Sequence, residues 1–226
     1  MSGSDGSAGP ALDRLRATGV RVQVRHSASS IDADMHVVGV STAIPADNPE
    51  ITMARSLGVP VCHRFDLLRA IGATRSTLAV SGTHGKTTTS ALCALALDHA
   101  GMNPSFIIGA DVPGLGGGAR WTESPWLVLE ADESDSTFLA PPRAGSIVTN
   151  IEADHLDHHG NLANLIDAFA EFAVGTDGPT VICVDDPIAA QLARDLARRP
   201  ATADRLLTYG TSDEALLRII DPVRTQ

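Results

Sequence analysis

The sequence predicts an α/β fold built on a mostly parallel, doubly wound sheet. Two observations carry that prediction. Short apolar runs alternate with helical stretches along the chain, which is the pattern of repeated strand–helix units. In several of the runs, such as Trp126 to Glu130 and Ser146 to Thr149, the apolar residues follow one another directly rather than alternating with polar ones. That marks strands covered on both faces. With 226 residues, the chain has room for one large domain or two smaller ones. A body of this size buries roughly 70% of its unfolded surface.

The elements follow in order. Met1 to Gly9 is Ser/Gly-rich, and Pro10 to Thr18 reads as a short helix ending at Gly19. Val20 to Val24 is a strand, Met35 to Val40 another, and Ser41 to Asn48 a loop. Pro49 suits a first helical turn, so a helix is expected from there to Leu57, closed by Gly58. Val59 to Cys62 reads as a strand and Phe65 to Ile71 as a helix, completing a small α/β unit near Ala73. A second unit opens at Ser76 with a buried strand, Thr77 to Ser81, then a Gly-rich turn and a helix from Lys86 to Ala100. Ser105 to Ile108 is a candidate strand, and Asp111 to Arg120 reads as a glycine-rich loop. After the strands at Trp126 and Ser146 come a helix from Leu162 to Val174 and a strand from Thr180 to Val184. A helix from Pro187 to Arg199 and a strand from Arg205 to Thr208 close the reading.

Composition narrows the function. Hydrophobic residues make up 43% and charged residues 19%, a globular rather than disordered balance. The net charge of −10 argues against a nucleic-acid surface. No apolar run approaches the ~20 residues of a membrane span, and no basic-then-apolar leader opens the chain, so a soluble cytoplasmic protein without a membrane partner is expected. Cys62, Cys93 and Cys183 are far apart and odd in number, which frames neither a disulfide scaffold nor a zinc site. Sixteen arginines accompany a single lysine, Lys86. A lysine kept where arginine is otherwise used points to a site that needs a compact ammonium rather than a planar fork.

Three motifs carry chemistry. In Leu78-Ala79-Val80-Ser81-Gly82-Thr83-His84-Gly85-Lys86-Thr87-Thr88-Thr89, an apolar strand runs into a Gly-rich turn and Gly-Lys-Thr opens a helix. Such a turn offers backbone N–H groups and a helix N-terminus to a phosphate, a lysine to the β/γ-phosphates and a hydroxyl to Mg²⁺. The general pattern wants glycine at position 80, where this chain has Val80; an ordinary strand-to-helix turn is the plain alternative. In Leu127-Val128-Leu129-Glu130-Ala131-Asp132-Glu133-Ser134-Asp135, four acids crowd a strand end, where parallel sheets carry ligands. Carboxylates there suit Mg²⁺, which takes few protein ligands besides phosphate oxygens and water; a solvated acidic loop is the alternative. Ile147-Val148-Thr149-Asn150-Ile151-Glu152-Ala153-Asp154-His155-Leu156-Asp157-His158-His159-Gly160 follows a third apolar strand. Its histidines and acids bring zinc to mind, but no soft four-ligand cage is evident, and a structural role stands equally open. If the strands share one sheet, the motifs converge on one Mg-nucleotide site.

Gly-Thr-His-Gly-Lys-Thr-Thr-Thr, Glu-Ala-Asp-Glu-Ser-Asp and Thr-Asn-Ile-Glu-Ala-Asp-His-Leu-Asp closely resemble the central domain of the muramyl ligases, and within it the alanine-adding branch. Val40 to Glu50 and Ser2 to Asp5 resemble that family's first, UDP-binding domain. The resemblance implies a partial, Rossmann-like UDP-substrate-binding domain over residues 1–74 and a partial, P-loop-type, mostly parallel-sheet ATP-binding domain over residues 75–226. It implies an ATP- and Mg²⁺-dependent ligase of peptidoglycan precursor synthesis, with UDP-N-acetylmuramate and L-alanine as substrates. The lactyl carboxylate would take the γ-phosphoryl group, and the amine of L-alanine would displace phosphate from the acyl phosphate. Gly82, Thr83, His84, Gly85, Lys86, Thr87 and Thr88 would bind the nucleotide. Lys86, Glu130 and His155 would be catalytic. Thr87 and Glu130 would hold a first Mg²⁺, Glu130 rather than Glu133 because it lies closest to its strand, and His155 a second. The carbamylated lysine of some relatives has no counterpart, since Lys86 is the sole lysine.

The chain departs from the family in lacking the strand and glycine-rich loop that open its first domain, part of its central domain and its third domain, so a fragment that is inactive alone is expected. Two other readings are weighed. The related ligase that recycles murein tripeptide typically carries a bulky aromatic near position 134, where this chain has Ser134. A non-catalytic nucleotide-binding remnant would bind ATP without turnover. An ordinary P-loop kinase or GTPase is weakened by Val80 and by the histidine motif.

Overall fold

The computed structural model describes residues 1–154 and 156–220, the side chains of Asp135 and Asp157 excepted. The chain divides into two compact units, Met1–Leu67 and Leu68 onward. In the first, β1 (Ser2–Asp5) precedes α1 (Pro10–Ala17) and pairs in parallel with β2 (Arg21–Val24). β3 (Val38–Val40) pairs in parallel with β4 (Val61–His63), across α2 (Pro49–Ser56). α2 starts where the sequence reading puts it: Pro49 takes the first position and the Asn48 side chain accepts from Glu50 N–H at 2.9 Å. The Ser/Gly-rich start turns out to be a strand, and the strand expected from Met35 shrinks to its last three residues. Small Ser2, Gly3 and Ser4 hid the first, because strand formation there rests on ladder bonds to β2 rather than on apolar side chains.

The second unit begins within α3 (Arg64–Gly72). It continues with β5 (Ser76–Ser81), α4 (Lys86–His99), β6 (Ser105–Val112), β7 (Gly117–Arg120), β8 (Trp126–Glu130) and β9 (Gly145–Val148). Then come α5 (Leu156–His159), α6 (Leu162–Val174), β10 (Thr180–Cys183), α7 (Pro187–Ala197), α8 (Pro200–Ala203), β11 (Leu206–Gly210) and β12 (Leu217–Arg218). One sheet joins them in the order β12-β11-β10-β9-β5-β8-β6-β7. Every pair is parallel except β6 with β7.

That antiparallel pair corrects the glycine-rich loop expected over Asp111 to Arg120. Gly117–Arg120 is an edge strand, paired back on β6 with Phe106 opposite Arg120. Glycine has low strand propensity, which conceals the element in the sequence. The hairpin nevertheless requires it: a Cβ on Gly118 would sit 2.8 Å from the Ala110 carbonyl oxygen and 2.9 Å from that of Ile108.

The sheet buries an apolar cluster on each face. Leu78, Val128 and Phe106 are register partners, and on their face Phe106, Ile108, Val112 and Val128 pack with Ala94 of α4. The alternate residues, with Ala79, Val148 and Ile182 on the other face, meet Leu165, Phe169 and Phe172 of α6, Leu192 and Leu196 of α7, and Phe138 from the connection between β8 and β9. Phe138 stacks on Phe172 with centroids 5.2 Å apart and meets Phe169 edge-on at 5.5 Å. Covering both faces explains why the central strands read as unbroken apolar runs. The three cysteines are unpaired. Among the described residues no helix is long and apolar enough to cross a membrane.

Phe172 is fully buried, stacked on Phe138 and capped by the Arg143 guanidinium 4.8 Å from its ring centroid. Phe172→Ala is expected to cost about 3–5 kcal/mol of stability, read as a lowered midpoint in denaturant unfolding. A loss below about 1 kcal/mol, the size of a surface change, would contradict this packing.

Candidate functional site

Register sets the site. β5 lies between β8 and β9, with Val80 opposite both Glu130 and Ile147 and Ser81 opposite Val148. The three strands therefore leave the sheet at one level, and the three motifs that follow them meet there. This is the carboxyl end of a parallel sheet at a point where successive connections diverge to either side, the usual ligand position in such folds.

The loop after β5 is shaped by two glycines. Gly82 has φ +135, and a Cβ there would run into Thr149 Oγ1 and lie 3.0 Å from both N and O of Asn150. Gly85 has φ +80, with open space where its Cβ would be. It is also the N-cap of α4, which has no side-chain cap. The first-turn N–H groups of a 14-residue helix are thus left to an anion, with the helix dipole behind them. Val80, the departure from the general pattern, is a fully buried strand residue, so the turn here begins later and is shorter.

Lys86 reaches back across the loop. Its Nζ donates to the Gly82 carbonyl at 2.8 Å, to the Thr83 carbonyl at 3.3 Å and to Glu133 Oε1 at 3.0 Å. Glu133 Oε2 lies 2.9 Å away and Asp132 Oδ1 3.9 Å. Thr87 Oγ1 donates to Glu130 Oε1 at 2.7 Å, and Glu130 Oε2 accepts from Gly109 N–H at 2.6 Å. Hydroxyl and carboxylate oxygens beside an anion-ready helix terminus match the hard-oxygen preference of Mg²⁺, so Thr87 and Glu130 fit that ion. Thr88 is exposed in the same first turn. Among the described residues no three His, Cys, Asp or Glu side chains gather as a metal cluster, and His155 lies outside the described residues.

The third motif clamps the loop. Asn150 accepts from His84 N–H through Oδ1 at 2.8 Å and donates through Nδ2 to the His84 carbonyl at 2.9 Å. Thr149 Oγ1 donates to the same carbonyl at 2.6 Å. Thr83 N–H donates to the Asn150 carbonyl at 3.1 Å, and Glu152 N–H donates to Thr83 Oγ1 at 2.8 Å. The His84 side chain is 63% exposed and its ring lies 3.6 Å from Glu152, a contact worth little in water. The motif's other two histidines meet edge to face, with ring centroids 4.9 Å apart, but take different polar partners: His158 pairs with Ser136 Oγ at 2.9 Å, and buried His159 donates from Nε2 to the Glu133 carbonyl at 2.8 Å.

Residues 1–76 match the Mur ligase family catalytic domain, and residues 80–224 match the Mur ligase middle domain. The chain belongs to the Mur ligase family. It is 44% identical over 223 residues to the UDP-N-acetylmuramate–L-alanine ligase of Salinispora arenicola, covering 98% of this chain and 43% of that protein. It is 40% identical over 223 residues to the enzyme of the same name from Bradyrhizobium diazoefficiens, covering 98% and 46%. The chain thus spans about half the length of the curated relatives it matches. Among solved structures, UDP-N-acetylmuramate-alanine ligase of Thermotoga maritima aligns with a TM-score of 0.79 at 30% identity, covering 92% of this chain and 46% of that one. The UDP-N-acetylmuramate:L-alanyl-γ-D-glutamyl-meso-diaminopimelate ligase of Neisseria meningitides aligns with a TM-score of 0.81 at 25% identity, covering 93% and 70%.

The structure brings together Gly82 to Thr88 and Glu130 in this Mur ligase middle domain. It adds three residues to which sequence reading gave no role: Glu133, Thr149 and Asn150. Nothing in the sequence marks Glu133 above its acidic neighbours. The Thr-Asn pair could have been found from its place at a strand end facing a Gly-rich turn, where side-chain amides and hydroxyls satisfy loop backbone.

The two glycines should separate in a stability measurement. Gly82→Ala meets both a positive φ and the Thr149–Asn150 wall, whereas Gly85→Ala meets only a positive φ. In urea unfolding, Gly85→Ala should cost about 1–2 kcal/mol, and Gly82→Ala distinctly more. Equal losses would contradict the clamp.

Proposed function

We propose that this chain binds Mg-ATP in the loop from Gly82 to Thr88. We further propose that it serves a cytoplasmic ligase that joins L-alanine to UDP-N-acetylmuramate in peptidoglycan synthesis. The observation that carries the reading is the Thr87–Glu130 hydrogen bond of 2.7 Å beside an uncapped helix N-terminus, with the chain's sole lysine across the loop mouth. Lys86 would meet the β/γ-phosphates, and the amides of the first turn would receive phosphate oxygens. Thr87 and Glu130 would hold Mg²⁺, which supplies positive charge to the phosphoryl oxygens. The lactyl carboxylate of UDP-N-acetylmuramate would attack the γ-phosphorus and release ADP. The amine of L-alanine would then attack the acyl carbon, form the amide and release phosphate. Such chemistry depends on positioning and on neutralising charge as the phosphoryl group moves. His155, by resemblance to the family, would serve a second Mg²⁺ near the acyl acceptor.

We assign residues 75–226 to the ATP-binding role and residues 1–74 to the UDP-substrate role. The first unit supports its part with a cleft of about 620 Å³ lined by Ser4, Arg21, His26, Ser30 and Glu50 among others. Glu50 accepts there from Ser4 Oγ at 2.6 Å and from Ser27 N–H at 3.2 Å. Burial alone would raise the Glu50 pKa, but hydrogen bonds from Ser4, Ser27, Ser30 and His26 together outweigh it and lower it. Alanine is favoured over a peptide as acceptor because curated relatives at 40–44% identity carry the alanine-adding name. Ser134, where recycling relatives place an aromatic, instead bonds Asp132 at 2.9 Å.

Calorimetric titration with ATP and Mg²⁺ tests the reading on the folded chain. Lys86→Ala should weaken binding tenfold or more, about 1.4 kcal/mol. Glu130→Ala should weaken it chiefly by removing its dependence on Mg²⁺. Equal affinities for wild type and Lys86→Ala would overturn the assignment.

A further inference from the structure

The geometry points to Glu133 as the positioning residue for Lys86. This inference rests on the nucleotide reading above and deepens it. Glu133 is only 1% exposed, and its Oε2 has no hydrogen-bond partner apart from the charge of Lys86 at 2.9 Å. A buried carboxylate is costly unless paired, so the pair is held from both sides. Glu133 itself is fixed through its backbone. Asp132 caps the turn by accepting from Ser134 N–H at 3.2 Å, and His159 Nε2 donates to the Glu133 carbonyl at 2.8 Å. The third motif thus reaches Lys86 through Glu133, which gives the buried His159 a role.

The ammonium has three donors, and they are unequally used. The bonds to Gly82 O at 2.8 Å and to Glu133 at 3.0 Å are short, whereas that to Thr83 O is 3.3 Å. Exchanging the long bond for a phosphate oxygen leaves the two short ones in place. Glu133 and Gly82 then hold Nζ at the loop mouth while its third hydrogen meets the phosphate. A lysine on a flexible four-carbon stem otherwise loses rotamer freedom on binding; here that loss is incurred in the ligand-free fold, which is preorganisation.

The single lysine makes the test direct, because its side-chain nitrogen needs no assignment. In the ¹⁵N-labelled, ligand-free chain, a paired Lys86 should give an observable ammonium correlation, which Glu133→Gln should abolish. Glu133→Gln should bind Mg-ATP about tenfold more weakly than wild type. In a Lys86→Met background, adding Glu133→Gln should change affinity no further, since Glu133 acts through the lysine; a merely structural role would lower affinity in both backgrounds. An ammonium exchanging as freely as that of lysine in solution would overturn the proposal from wild type alone. So would equal Mg-ATP affinity of wild type and Glu133→Gln, with the nucleotide reading left standing. Absence of any Mg-ATP binding by wild type would overturn the nucleotide reading instead, and an ammonium signal present in that sample would still support the pairing.

Discussion

The alignment of β5 between β8 and β9 is the constraint on which the site depends. Val80 is opposite Glu130 on one side and Ile147 on the other. A one-residue slip in either pairing would turn alternate side chains to the other face. It would bury Glu130 or move Asn150 away from His84. Such a slip is opposed by the core itself, since Ala79 and Val148 belong to the cluster under α6 and α7 while Val128 belongs to the one under α4. Two dry faces fix the register, and the register fixes the chemistry.

Above that frame the loop is held by backbone satisfaction rather than by charge. His84 is clamped through its N–H and C=O by Asn150 and Thr149, while its side chain stays in water. Charge is kept for the mouth of the loop, where Lys86 and Glu133 form a pair sheltered from solvent and Thr87 meets Glu130. Sheltered charges interact more strongly than exposed ones and are screened less by salt.

Much of this was legible in the sequence. The consecutive apolar residues of β8 and β9 pointed to a parallel sheet, and Gly-Lys-Thr marked the start of α4 within a residue. What escaped has physical reasons. β1 (Ser-Gly-Ser-Asp) and β7 (Gly-Gly-Ala-Arg) carry no large apolar side chain and exist because a neighbouring strand supplies the ladder. β3 is shorter than its apolar run because pairing with β4 reaches only Val38 to Val40. The sequence marks Gly82 as part of the phosphate-binding turn, but not that a Cβ there would meet Thr149 and Asn150, far away in the chain. The choice between Glu130 and Glu133 by distance from the strand left open what Glu133 does, because its burial and its lysine partner are tertiary facts.

The proposed nucleotide site is formed by three separate segments. Hydrogen exchange of backbone amides, followed with and without Mg-ATP, tests it most directly. Residues 82–88, 130–134 and 149–152 should gain protection together on nucleotide addition, and the Lys86→Ala chain should show no such gain. Protection confined to one of these segments, or appearing elsewhere while all three stay unchanged, would contradict it.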